Sequence, residues 1–114
     1  MKILNPFLIA GVFAAGCAAT VPAEKIAAAD SSIRAAEELG APKVPQAALH
    51  LQLAIEETGL AEKLIKDGNP KRAEGILTRA QADAELAVAE AREAPMKVEA
   101  QQEMERARAL QQKL

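Results

Sequence analysis

Between Ala73 and Ala91 alanine recurs at the three- and four-residue spacing of an α-helix, and this repetition limits the fold more than any other feature of the chain. Placed about 100° apart, Ala73, Ile76, Leu77, Ala80, Ala84, Ala87, Val88 and Ala91 share one face roughly 120° wide, the width of a core-facing stripe. A face made mostly of methyl groups lets neighbouring helices come close. The opposite side carries a thinner stripe, Gly75, Ala82, Leu86 and Ala89, with Arg79, Asp83, Glu85 and Glu90 on the flanks. Asn69-Pro70 opens this helix: the Asn side chain is expected to accept from first-turn amides, and Pro is pre-set for the first helical position.

Glycine and proline divide the rest. Pro22 is expected as a first helical residue, with a helix over Ala23 to Leu39 that ends at Gly40 and presents Ile26, Ala29, Ile33 and Ala36. Asp30-Ser31-Ser32 weakens its middle, because short polar side chains compete for backbone hydrogen bonds. Gly40 to Pro45 is expected to be a loop, its two prolines being incompatible with a helix interior.

From Gln46 to Asp67, closed by Gly68, the pattern is helical with two apolar stripes. One is Ala47, Leu51, Ala54, Thr58, Ala61 and Ile65; the other is Leu49, Leu53, Leu60 and Leu64. Gly59 inside it signals either a close backbone approach or simple tolerance. The short Asp67-Gly68-Asn69-Pro70 connection makes this helix and the next an antiparallel hairpin. Beyond Pro95, expected to kink one long helix rather than separate two, Met96, Ala100, Met104, Ala107, Leu110 and Leu114 form a narrow stripe like a coiled-coil seam. Glu99, Glu103, Glu105, Arg106 and Arg108 keep the remainder of that segment soluble. The predicted fold is all-α: a small alanine-rich antiparallel helical hairpin or three-helix bundle with a kinked C-terminal helix, preceded by a signal peptide. The expected divisions are a signal segment at 1–16, a lipidated linker at 17–21, a helical domain at 22–94 and a helical extension at 95–114.

The only aromatic residues are Phe7 and Phe13, both in the N-terminal segment, so the domain has no ring for base stacking or for a cationic cage. With a net charge of −2 and acids interleaved with bases, there is no footprint for nucleic acid. Met1-Lys2 followed by Ile3, Leu4, Phe7, Leu8, Ile9, Val12 and Phe13 reads as a secretory signal, its apolar run being shorter than the about 20 residues that span a bilayer.

Ala14-Ala15-Gly16-Cys17 resembles the bacterial lipobox, in which small residues precede a cysteine that is acylated before cleavage. Ala14 stands where that pattern has leucine, which keeps cleavage without lipid as the alternative. A lone cysteine in an exported chain has no internal disulfide partner, which favours the lipid. The resemblance implies cleavage between Gly16 and Cys17, diacylglycerol and a palmitate-type acyl chain on Cys17, and attachment to the membrane through those chains without spanning it. Ala18 rather than Asp after the cysteine implies, by resemblance to lipoproteins lacking a retention signal, the periplasmic face of the outer membrane.

From about Ile26 to Arg92 the chain resembles a bacterial domain of unknown function found in exported lipoproteins, sometimes joined to an OmpA-like peptidoglycan-binding domain. The resemblance rests on Ala35-Ala36 before Gly40-Ala41-Pro42, the spacing from Leu49 to Leu64, Gly68 with Ala73, and Ala80-Gln81-Ala82-Asp83-Ala84-Glu85-Leu86-Ala87. It implies class and location but no mechanism. The turn at Gly68-Asn69-Pro70 also looks like one tetratricopeptide unit in outline.

No catalytic residue, cofactor or metal site is expected. His50 reads as a boundary histidine, Glu56-Glu57 with Glu62 and Lys63 as solvated surface charges, and Asp83 as the partner of Arg79 one turn earlier. Two functions follow. The first is a non-enzymatic envelope lipoprotein, a structural or adaptor module that engages an envelope protein through helical faces, with a homo-oligomer through the C-terminal helix as a further possibility. The alternative is a periplasmic carrier or chaperone that holds apolar ligands along Leu49, Leu53, Leu60 and Leu64. The candidate interaction residues are those four leucines with Met96, Met104 and Leu110.

Overall fold

The computed structural model describes residues 20 to 114. Among them the chain is all-α: α1 (Ala23–Glu38), a 3₁₀ turn (Ala41–Lys43), α2 (Pro45–Lys66) and α3 (Pro70–Gln112), with no strand. Each of the first two helices stops at the glycine that interrupts the pattern. Gly40 and Gly68 adopt φ of 82° and 77°, a backbone region in which a side chain would be strained. At the second stop Asn69 N–H donates to Leu64 O (2.8 Å) and Gly68 N–H to Ile65 O (3.1 Å), which satisfies the last carbonyls of α2.

Several local expectations are corrected. The side chain of Asn69 caps nothing on α3 and its Nδ2 donates back to Asp67 O, while its own carbonyl takes the first helical bond from Ala73 N–H. The 40–45 segment is not wholly loop: Lys43 N–H donates to Gly40 O and Val44 N–H to Ala41 O, and Pro45 is already the first residue of α2. Proline is suited to that position because the first-turn amide it lacks would have no partner. The helix expected from Ala23 is present as one element, running through Asp30-Ser31-Ser32 to Glu38.

α1 and α3 run in the same direction, tied at their starts by Lys25 Nζ to Glu74 Oε1 (2.8 Å); α2 runs antiparallel to both, and α3 is the helix against which the other two chiefly pack. Two small clusters form the core. One packs Ala29, Ala61, Ala73, Leu77 and Ala80 near the α2–α3 turn; the other packs Ala36, Ala41, Ala47, Leu51, Ala87 and Ala91 at the far end. Leu77 is the largest side chain that is fully buried. The burial of so much alanine means the stabilising contact is largely backbone against methyl group, a geometry that leaves no room for larger side chains.

α3 passes through Pro95 as one helix, so the proline does not separate two. Packing stops before the helix does. Ala91 is buried and Ala94 half-buried, and every residue from Pro95 to Leu114 is exposed.

Candidate interaction surfaces

The α2–α3 seam carries a row of charged groups. His50 on α2 stands opposite Asp83 and Glu90 on α3: its Nδ1–H donates to Asp83 Oδ1 (3.1 Å), and Nε2 lies 3.8 Å from Glu90 Oε1. A carboxylate can only accept, so the proton of that first bond belongs to the imidazole. Two turns further along α2, Glu57 is 8% exposed and takes an ion pair from the guanidinium of Arg79 on α3. Glu57 Oε2 and Glu90 Oε2 have no partner.

Three expectations change here. Asp83 pairs with His50, and Arg79 pairs with Glu57. Glu57 is a buried half of a cross-helix ion pair, not a solvated charge like its neighbour Glu56. His50 is a boundary residue, half-buried as expected, but with two carboxylates around it. One signal for this row was available in the chain: His50 and Glu57, like Asp83 and Glu90, are seven residues apart at the edge of an apolar stripe. What it lacked was the rotation that turns those edges toward each other. Among the described residues no group of three His, Cys, Asp or Glu side chains is placed to hold a metal ion.

The leucine stripe of α2 is divided by the fold. Leu49, Leu53 and Leu60 are exposed, Leu49 by 59%, whereas Leu64 packs on the cluster around Leu77 and leaves that surface. Met96, Met104 and Leu110 stand in solvent on the unpacked half of α3, Leu110 by 65%. The structure therefore does not unite the leucines of α2 with the methionines of α3 in one site. On the far side of α3, Ala82, Leu86 and Ala89 are also exposed. A groove by the α2–α3 turn, lined by Val21, Ile26, Ile65 and Pro70 with Lys71 and Arg72, lies where the chain leads back toward its N-terminus.

The expected signal segment, with Gly16 and Cys17, lies outside the described residues. No helix among the described residues is long and apolar enough to cross a membrane. No family model, curated protein or solved structure matches the chain.

Proposed function

We propose that the chain is a non-enzymatic lipoprotein of the bacterial cell envelope, held by acyl chains on Cys17 at the periplasmic face of the outer membrane, and that it acts as a structural or adaptor module through its helical faces. The observation that carries the adaptor part is the stretch of α3 beyond Ala94, helical yet packed against nothing among the described residues. α3 starts at the same end of the bundle as α1, and at about 1.5 Å per residue its length is roughly 65 Å. A helix of that length carries the stripe through Met96 and Leu110 well beyond the bundle. The module would use that stripe to associate with another helical surface.

Intact mass of the protein extracted from membranes tests the anchor. A mature chain that starts at Cys17 and carries diacylglycerol and acyl additions supports it; a mature chain without lipid overturns it.

A further inference from the structure

The exposed side of α3 carries a second heptad pattern that runs past the end of the bundle. The buried register, Ala73, Leu77, Ala80, Ala84, Ala87 and Ala91, is joined on the opposite side by Ala82, Leu86 and Ala89, and steps of three and four continue from these through Glu93, Met96, Ala100, Glu103 and Ala107 to Leu110 and Leu114. The two registers are two residues out of phase, about 200° around the helix. All of the outer positions are exposed. A strict seven-residue repeat over this length is the pattern of a coiled-coil seam.

Charge decides what can cover it. In a parallel pair, Glu93 would meet Glu93 and Glu103 would meet Glu103 in the seam, and on the flanks Glu85 would face Glu90 and Arg92 would face Lys97, all like charges. In an antiparallel pair with Arg92 set against Glu99 of the other copy, Glu85 falls opposite Arg106 on the same flank and Glu90 opposite Lys97 on the other. Each of those pairs is made twice by the two-fold axis. Sliding by one heptad puts Arg92 on Arg92 or Glu99 on Glu99, so the register is specified in both directions. Alanine then meets alanine in the seam, Ala89 against Ala100 and Ala82 against Ala107, which allows close approach. The two acids within the seam are already drawn to its rim: Glu93 pairs with Lys97 (3.2 Å) and Glu103 with Arg106 of the same helix.

We infer that a second copy of this chain covers the outer face of α3, antiparallel, from about residue 82 to 107, in the register that pairs Arg92 with Glu99. This deepens the adaptor reading by naming one partner of α3, but does not depend on the lipid: the mass of the N-terminus tests the anchor, and association state tests the pairing.

The test uses the full-length chain with C17S, in a non-ionic detergent at low salt. Sedimentation equilibrium is expected to show a dimer, E99R to raise its dissociation constant about tenfold, and R92E combined with E99R to bring it back to within about threefold. A short bis-maleimide is expected to link the A89C/A100C protein into covalent dimers, and A100C alone far less. These positions are solvent-exposed, and an unchanged helical circular dichroism spectrum confirms that each variant is folded. A monomer at all concentrations, a dimer indifferent to E99R, or efficient linking of A100C alone, which is the parallel arrangement, would overturn the inference.

Discussion

Glu57 is the residue whose environment departs furthest from its type. Its side chain is enclosed between α2 and α3, one oxygen is unpartnered, and its countercharge, Arg79, is itself largely in solvent. Removing only the arginine strands an enclosed carboxylate, while converting the glutamate to its neutral isostere removes the need for a countercharge. R79A is therefore expected to lower unfolding stability by about 1–2 kcal/mol, a value kept modest by the exposure of the guanidinium, and E57Q to cost less than R79A. Urea denaturation of the two variants checks the order; equal losses would mean that the pair acts through packing and not charge. His50 belongs to the same row. Its bond to Asp83 ties the second turn of α2 to α3.

At the scale of the elements, glycines that look alike in the chain do different work. Gly59 and Gly75 sit inside helices with open space where a side-chain methyl would stand, no atom lying within 4 Å of that point, so neither marks a close approach. Gly68 is equally open but has φ of +77°. G59A is expected to raise stability by up to about 1 kcal/mol, through helix propensity and a less free unfolded chain, and G68A to lower it by about 1–2 kcal/mol through left-handed strain. Thermal melts followed by circular dichroism separate the two signs. The tail makes the third prediction. Since nothing from Pro95 to Leu114 is buried, truncation after Ala94 should leave the midpoint of a dilute monomer almost unchanged while abolishing association. Unfolding of the shortened chain would place the tail in the core.

Across the described residues, three helices enclose two alanine clusters, and one helix goes on alone. Alanine buries little apolar area at about 25 cal/mol per Å², so the bundle draws modest stability from its core. The antiparallel pairing of α3 would place the two N-terminal ends at opposite ends of the dimer. On one membrane surface such a pair lies along the bilayer with both Cys17 anchors engaged; standing upright, it holds only one. Lipidated protein on supported bilayers should accordingly form a layer near one helix-bundle thickness by neutron reflectometry, and a layer as tall as the long axis of α3 would contradict that orientation.

What the chain determined alone was local. Gly40, Gly68, Pro45 and Pro70 set the helix ends, because a positive φ or a missing amide acts within one turn whatever lies beyond it. The stripe from Ala73 to Ala91 set the buried face of α3 for the same reason, periodicity being a property of one helix. Pairings across the seam were decided only by the tertiary structure. Arg79 has Asp83 one turn away on its own helix and takes Glu57 on the next, and Asp83 takes His50, because the rotation of α2 about its axis puts those groups at contact distance. The same rotation turned Leu64 into the core and left Leu49, Leu53 and Leu60 outside. A stripe read from one helix has no knowledge of where its neighbour's axis lies, and a polar residue at a stripe's edge becomes buried or solvated according to that axis alone.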